Sequence, residues 1–224
     1  NLGVDIKTNT ALGRDFQLKD LFQEGYSAVF LATGAHKGIN LGIPGEDTEG
    51  VKQGVDFLRE VNLTGSTHLG KKVAIIGGGN VAVDVARVAR RMGAEEVSVI
   101  YRRTRAEMPA LPEEVEAALQ EDIDIKFLAA PQEIQTREGA AVGLRCIQME
   151  LGEPDSSGRR RPVAVPGSEF DLQVDQVIPA IGQKPEDSSI EDFKDFEFTR
   201  WGTLDVDPVT YATNVQGVFA GGDV

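Results

Sequence analysis

The chain has 224 residues, 41% of them hydrophobic, and a formal net charge of −13 at pH 7. That length suffices for one large or two small globular domains, and the acidic balance argues against nucleic acid and anionic membrane surfaces as partners. Cys146 is the only cysteine, which excludes an internal disulfide, a C-x-x-C pair and a cysteine-bound cluster or metal within this sequence. The single cysteine leads us to expect a protein of the reducing cytoplasm. No apolar stretch approaches about 18 residues, so no membrane span is predicted.

Hydrophobic patterning predicts the first elements of the chain. Residues 4–6 are expected to form a short strand, residues 18–22 a helix and residues 27–33 a buried strand. Residues 43–46, with the sequence Ile-Pro-Gly-Glu, indicate a rigid turn. Apolar side chains along one side of residues 54–62 predict an amphipathic helix.

Residues 72–103 have the pattern of a βαβ unit. The continuous apolar run at 73–76 is typical of a strand buried on both faces, and glycines 77–79 follow it directly. Apolar residues at helical spacing come next and end at Gly93, and residues 97–101 form a second apolar strand. Strand, glycine turn, helix and strand therefore fit one nucleotide-binding unit.

The glycine turn matches the pattern G-x-G-x-x-A. Gly77 would make the tight turn, Gly79 would let the backbone approach a pyrophosphate, and Ala82 would let the helix pack closely on the strand. The helix dipole favours negative charge at this point. The predicted phosphate donors are the backbone N–H groups of Gly78, Gly79, Asn80 and Val81. The alternative is an ordinary tight turn between a strand and a helix.

The end of the second strand of this unit indicates which nucleotide is bound. NAD sites usually carry an acidic residue there, which binds the ribose 2′-hydroxyl. This chain has Arg102 and Arg103 instead, with Arg105 close by, and guanidinium groups suit forked hydrogen bonds to a 2′-phosphate. The sequence therefore predicts NADP(H). The alternative is that these arginines merely solvate a surface loop.

The second half of the chain begins with a predicted helix at 112–121 and continues with strands in an antiparallel hairpin pattern. The predicted strands are residues 125–128, 133–136, 143–149 and 171–173. The loop at 153–161 contains three arginines at its end, which we interpret as a basic surface hairpin because no glycine turn and helix accompany them.

Three apolar strands run directly into glycine. They are residues 27–33, followed by Gly34, residues 176–181, followed by Gly182, and residues 217–220, followed by glycines 221 and 222. Ligands of open α/β sheets bind at the carboxyl ends of strands, where glycine permits close approach of the backbone.

Six short motifs are spread along the chain. They are Ala32-Thr33-Gly34-Ala35, Ile43-Pro44-Gly45-Glu46, Ile76-Gly77-Gly78-Gly79-Asn80, Tyr101-Arg102-Arg103 with Met108-Pro109-Ala110, Ala180-Ile181-Gly182-Gln183, and Thr213 with Ala220-Gly221-Gly222-Asp223. Together they resemble the two-dinucleotide flavoprotein oxidoreductases, and most closely the small (β) subunit of NADPH-dependent glutamate synthase and the related module of dihydropyrimidine dehydrogenase. The resemblance covers essentially the whole chain.

The resemblance implies an α/β fold with a Rossmann-like βαβ domain, a parallel sheet and an antiparallel β-meander. Residues 51–175 would form the NADP(H)-binding domain, and residues 1–50 and 176–224 would be partial segments of an FAD-binding domain. The first glycine motif of the FAD site and the cysteine segment for iron–sulfur clusters are missing from this sequence. We therefore expect a piece of a longer protein with an incomplete FAD site.

The resemblance also implies roles for individual residues. Asp223 would hold the ribityl chain of FAD, and Leu12 would contact the flavin adenine through its backbone. Ala180, Ile181 and Gly182 would lie against the nicotinamide end of NADP(H). The remaining flavin positions carried over from the motifs are Thr33, Gly34 and Gly222.

The implied reaction is hydride transfer from NADPH to FAD, followed by electron transfer to an iron–sulfur acceptor or a partner like the glutamate synthase large subunit. Because the cofactors carry this chemistry, we nominate no catalytic side chain and no metal ligand, and we interpret His36 and His68 as surface residues. Two alternatives stay open. One is a nucleotide-binding module without catalysis of its own, and the other is a different Rossmann-like enzyme, such as a methyltransferase.

Overall fold

The computed structural model describes residues 3–154, 160–185 and 193–224. They divide into two compact units, one made of Asn1–Lys37 and Gln183–Val224 and the other of Gly38–Gly182. The domain boundaries drawn from the sequence, after residues 50 and 175, remain predictions.

The secondary structure is as follows. The helices of the described residues are α1 (Leu18–Gln23), α2 (Gly54–Thr64), α3 (Asn80–Arg91) and α4 (Pro112–Gln120), with a short 3₁₀ turn at Arg105–Glu107. The strands are β1 (Val29–Leu31), β2 (Ala35–Gly38), β3 (Lys72–Ile76), β4 (Glu96–Tyr101), β5 (Asp124–Phe127), β6 (Ala129–Arg137), β7 (Ala140–Pro154), β8 (Arg160–Leu172), β9 (Gln176–Pro179), β10 (Gln183–Pro185) and β11 (Val218–Ala220).

The larger unit is built around a parallel sheet with the strand order β5-β4-β3-β9. Alternate residues of β3 face two different hydrophobic cores. Val73 and Ile75 pack with α2, α3 and α4, whereas Ala74 and Ile76 pack with residues of the antiparallel sheet formed by β6, β7 and β8. Burial on both faces explains the continuous apolar run of this strand. The predicted mixed α/β fold with a parallel and an antiparallel sheet is confirmed.

The antiparallel sheet has longer strands than the sequence predicted. Strands were expected at 143–149 and 171–173, but β7 and β8 form a long hairpin and pair from Leu144 with Leu172 as far as Pro154 with Arg160. Pro162 and Pro166 argue against a central strand, yet β8 has only β7 as a neighbour among the described residues, and an edge strand tolerates proline. Part of the predicted loop at 153–161 lies outside the described residues.

Within the larger unit, the turn at 43–46 packs against β6. The carboxylate of Glu46 accepts hydrogen bonds from the backbone N–H groups of Leu41 and Gly42 at 2.5 and 2.7 Å. Ile134 donates its backbone N–H to the carbonyl oxygen of Pro44 at 2.9 Å. Gly45 has φ +83°, and a Cβ there would overlap the carbonyl of Ile134, so the Ile-Pro-Gly-Glu turn is explained by packing.

In the smaller unit, β1 pairs in parallel with β11, and β10 pairs with β2. Leu18, Leu31 and Val218 are among the residues of its buried cluster. The strand predicted at 4–6 is wrong, because these residues have no regular secondary structure and Val4 and Ile6 are 69% and 82% exposed. Alternation alone does not form a strand when no neighbouring strand supplies hydrogen bonds or buried surface.

In the described part of the chain, no helix is long and apolar enough to cross a membrane. The same residues contain no cluster of His, Cys, Asp and Glu suited to hold a metal ion.

Candidate nucleotide-binding sites

The turn between β3 and α3 is held in place by close backbone contacts. Gly77 has φ +148°, and a Cβ on it would overlap the carbonyl oxygen of Ala180. A Cβ on Gly78 would overlap the ring of Tyr101. Both positions therefore require glycine for packing, a requirement that the sequence pattern did not indicate for Gly78.

The same turn leaves a set of donors open. Within the described residues, no protein acceptor takes a hydrogen bond from the backbone N–H groups of residues 78–81. Gly79 precedes the first residue of α3 with φ −88° and ψ 175°, and a Cβ on it would meet no atom within 4 Å. Free donors at a helix N-terminus beside open space fit a bound phosphate group.

The side chain of Asn80 has a role that the sequence did not indicate. Its Oδ1 accepts a hydrogen bond of 2.9 Å from the backbone N–H of Leu111, which precedes α4. Nearby, Ala110 donates its backbone N–H to the carbonyl oxygen of Gly78 at 3.0 Å. Residues 102–111 are thus fastened to the glycine turn at their carboxyl-terminal end.

The arginines that follow β4 have different environments. The side chain of Arg102 is exposed and makes no hydrogen bond or ion pair with another described residue. Arg103 is half-buried, and its Nε donates to the carbonyl oxygen of Arg160 at 2.9 Å. Arg105 forms an ion pair with Glu116 at 2.5 Å. Arg102 is therefore the guanidinium that is most available to a ligand.

Glu107 organises the backbone between these arginines. Its carboxylate accepts hydrogen bonds from the side-chain hydroxyl and the backbone N–H of Thr104, the latter at 3.1 Å, and the hydroxyl bond is the main reason that its pKa is lowered. The hydroxyl of Tyr101 donates to the carbonyl oxygen of Glu107 at 2.7 Å. The loop after β4 is therefore fixed by its own side chains as well as by the glycine turn.

Parallel pairing brings the predicted NADP(H) residues to one edge of the sheet. Ile76 pairs with Ile100 of β4 and with Pro179 of β9, so the three strands end side by side. Ala180 donates its backbone N–H to the carbonyl oxygen of Ile76 at 2.8 Å, and Ile181 and Gly182 follow it as exposed residues. The predicted residues of this group are Gly77, Gly78, Gly79, Asn80, Val81, Arg102, Arg103, Ala180, Ile181 and Gly182.

The predicted flavin residues lie in the smaller unit. Leu31 of β1 pairs with Ala220 of β11, and Gly221 donates its backbone N–H to the carbonyl oxygen of Leu31 at 3.1 Å. Both strands end at this edge, and the segments 33–34 and 222–223 follow them. Leu12 packs against the buried cluster that contains Leu31.

The residues that follow β1 and β11 leave room for a ligand. Gly34 and Gly222 have φ +72° and +85°, and a Cβ on Gly222 would meet no atom within 4 Å. Thr33 is exposed, and its carbonyl oxygen lies 2.6 Å from Nε2 of His36. The Asp223 side chain is exposed. Thr33, Gly34, Gly222 and Asp223 thus all follow the carboxyl ends of the paired strands β1 and β11, and their role in flavin binding stays a prediction.

Cys146 and His68 both lie outside the two candidate nucleotide sites. Cys146 is buried in the core between the parallel and antiparallel sheets, and burial raises the pKa of its thiol to about 12. The backbone carbonyl of His68 accepts a hydrogen bond from the side chain of the buried Gln176 at 3.4 Å.

Comparison with known proteins places this architecture in a family. Residues 2–224 match the model of the family described as "Pyridine nucleotide-disulphide oxidoreductase". The β subunit of an NADP(+)-dependent formate dehydrogenase from Moorella thermoacetica is 52% identical over 226 residues, which cover 100% of this chain and 32% of that protein. The small chain of glutamate synthase [NADPH] from Azospirillum brasilense is 37% identical over 235 residues, which cover 99% of this chain and 48% of that protein. The chain thus spans about a third to a half of the length of these relatives.

Solved structures share the fold at low sequence identity. FprA from Mycobacterium tuberculosis in complex with NADPH superposes with a TM-score of 0.75 and 21% identity, covering 96% of this chain and 61% of that one. Thioredoxin reductase from T. acidophilum gives a TM-score of 0.65 and 22% identity, covering 88% of this chain and 57% of that one. The resemblance seen in the motifs is confirmed, and the chain belongs to the pyridine nucleotide-disulphide oxidoreductase family.

Proposed function

We propose that this chain is the NADPH-binding part of a flavin-dependent oxidoreductase. In the intact protein, NADPH would deliver a hydride to FAD, and electrons would then pass to an iron–sulfur or partner acceptor. The single observation that carries this proposal is the row of N–H donors at residues 78–81, which have no acceptor among the described residues, at the sheet edge where β4 leads into the exposed Arg102.

The glycine turn suits the pyrophosphate of a dinucleotide. The N–H groups of Gly78, Gly79, Asn80 and Val81 would donate to phosphate oxygens, and α3 would add the positive end of its dipole. The absence of a side chain on Gly79 keeps the approach clear. Asn80 would contribute its backbone, because its side chain is already bonded to Leu111.

The loop after β4 supports NADP(H) over NAD(H). Arg102 would bind the 2′-phosphate directly, because it is exposed and forms no ion pair with another described residue. An acidic residue suited to a ribose 2′-hydroxyl does not follow β4 directly. The formate dehydrogenase and glutamate synthase relatives are named for NADP(+) and NADPH, which supports this assignment.

The residues at the ends of β1 and β11 would form part of a flavin site. Asp223 would accept hydrogen bonds from the ribityl hydroxyls, while Thr33, Gly34 and Gly222 would let the cofactor approach the backbone. Leu12 would contact the adenine end through its backbone. Ala180, Ile181 and Gly182 would contact the nicotinamide end of the other nucleotide. No acid or base side chain is assigned a role.

A partner subunit or domain is also part of the proposal. The relatives are named as a β subunit and a small chain, so each acts beside at least one other polypeptide. The acceptor would be an iron–sulfur protein or a subunit like the large subunit of glutamate synthase. The length of the relatives also favours a second candidate, in which this chain alone binds nucleotide but does not catalyse, because its FAD site needs further residues.

Calorimetric titration of the chain with NADPH and with NADH, at low and moderate salt, tests the nucleotide assignment. We expect NADPH to bind more tightly at both salt concentrations and its affinity to fall as salt rises, because an exposed guanidinium would bind the extra phosphate. Equal affinities for the two nucleotides would overturn the assignment. Visible flavin absorbance of the purified chain separates the two candidates, since retained flavin supports the oxidoreductase and its absence the binding module.

A further inference from the structure

The hairpin of β7 and β8 contacts residues 102–111, which we call the arginine loop. The contact joins Arg103 and Arg160, which are 57 residues apart in the sequence. The Nε of Arg103 donates a hydrogen bond of 2.9 Å to the backbone carbonyl of Arg160, the first residue of β8. Leu128, just before β6, donates its backbone N–H to the carbonyl oxygen of Arg103 at 3.1 Å, and Met149 of β7 donates to the carbonyl oxygen of Leu128 at 2.8 Å. The hairpin is therefore attached to the loop through both the side chain and the backbone carbonyl of Arg103.

Arg160 is itself held in one arrangement. Its guanidinium donates to the carbonyl oxygens of Gly152, at 3.1 Å, and Leu151, across the hairpin. These acceptors are neutral, so they orient the side chain without cancelling its charge. Arg160 is exposed, and the partners of its guanidinium within the described residues are these backbone carbonyls rather than carboxylates.

The charge of Arg160 acts on the loop that carries Arg102. The pKa of Glu107 is lowered first by the hydrogen bond from Thr104 and, among the lesser causes, by the positive charge of Arg160. Glu107 lies in the loop between Arg102 and α4, so the field of Arg160 reaches the region where a 2′-phosphate would be bound.

We propose that Arg160 is a specificity-determining residue for the 2′-phosphate, and that Arg103 positions it by fixing the hairpin beside the loop. The inference rests on the NADP(H) binding proposed above. Arg102 supplies the direct contact, and Arg160 adds a second positive charge from a different sheet. The cluster of arginines at 159–161, which the sequence suggested was a simple surface hairpin, would thus contribute one member to nucleotide selection.

The test compares Arg160→Gln with Arg161→Gln. The two variants lose the same charge from neighbouring positions of one strand, and successive side chains of a strand point to opposite faces. Only Arg160 has a carbonyl bonded to Arg103. For each protein, the ratio of the Kd for NADH to the Kd for NADPH is measured, because both nucleotides titrate the same folded population and the ratio is insensitive to partial misfolding.

We expect Arg160→Gln to lower the NADH-to-NADPH ratio by about fivefold to tenfold, because a nearby charge is lost, and Arg161→Gln to change it by less than about twofold. Arg160→Lys, which keeps the charge, should restore the ratio to within about threefold of the parent chain. A ratio that stays within twofold in Arg160→Gln but collapses in Arg102→Gln would overturn this inference and leave the proposed function intact. A ratio near one in the parent chain would overturn both.

Discussion

The side-chain oxygen of Asn80 accepts a hydrogen bond of 2.9 Å from the backbone N–H of Leu111 and thereby ties the first residue of α3 to the residue preceding α4. The arginine loop lies between these two points in the sequence. The position of the guanidinium groups therefore depends on the same turn that would hold the pyrophosphate.

Replacing Asn80 tests this connection. Asn80→Ala should lower the free energy of unfolding by about 0.5 to 1 kcal/mol, because the exposed N–H of Leu111 regains only water as a partner. Its affinity for NADPH should fall about threefold as the loop loosens. Asn80→Asp keeps the acceptor and the stability but places a negative charge beside the phosphates, so we expect binding to weaken about tenfold or more. Urea unfolding measures the change in stability, and calorimetry measures the change in NADPH affinity. Normal NADPH affinity in Asn80→Asp would contradict the phosphate assignment.

Two glycines of the turn should separate folding from binding. Gly77→Ala puts a Cβ into the carbonyl of Ala180 at φ +148°, so the free energy of unfolding should fall by about 3 kcal/mol. Gly79→Ala, at φ −88° and with open space around the new methyl group, should change stability by less than about 1 kcal/mol. The same methyl should weaken NADPH binding about tenfold or more, because it occupies the path of the phosphate. Unchanged binding in a folded Gly79→Ala variant would argue against the cradle.

The junction of α3 and α4 predicts a pH dependence. Glu121 binds Arg91 through bonds of 2.6 and 3.0 Å and Arg87 through one of 3.0 Å, and these bonds, the one with Arg91 first, lower its pKa. A lowered carboxyl pKa stabilises the fold above the unfolded pKa of about 4.3, and this stabilisation is lost as pH falls through the folded pKa.

We therefore expect Glu121→Gln to reduce the free energy of unfolding by about 1 kcal/mol at neutral pH, and the difference from the parent chain to shrink as pH falls below about 4.3. Glu153→Gln is the control, since Glu153 is exposed and has no ion pair with another described residue. Urea unfolding as a function of pH gives the comparison. A difference that does not change with pH would mean that the ion pairs are not responsible.

The buried thiol gives a chemical test of the core. Cys146 is 0% exposed, and burial raises its pKa to about 12, so almost no thiolate exists near neutral pH. We expect the native protein to react with a disulfide reagent at least about 100-fold more slowly than the protein in urea. Rapid stoichiometric labelling of the native chain would show that the core between the two sheets is open.

The elements that form a local pattern could be predicted from the sequence. The apolar run of β3, the glycine turn and the periodicity of α3 follow from residues adjacent in the chain. The contact of Ala180 with Gly77 follows from the parallel pairing of β3 and β9, which no local pattern specified. The strand predicted at 4–6 failed because strand formation needs a neighbour, which local alternation does not reveal.

The features that the sequence missed depend on distant contacts. β8 contains Pro162 and Pro166, so its pairing with β7 becomes apparent only when it is known to lie at a sheet edge. The bond between Arg103 and Arg160 depends on the length of that hairpin. The side-chain role of Asn80 depends on where α4 begins, and no local pattern specifies this.

The measurement that tests the central claim most directly is the nucleotide preference of Arg102→Gln. This exposed side chain makes no hydrogen bond or ion pair with another described residue, so we expect the substitution to leave the fold intact. We expect the NADH-to-NADPH Kd ratio to fall at least about tenfold, with the change arising almost entirely from weaker NADPH binding. A variant that retains the parent ratio to within about twofold would contradict the assignment of the loop after β4 to the 2′-phosphate.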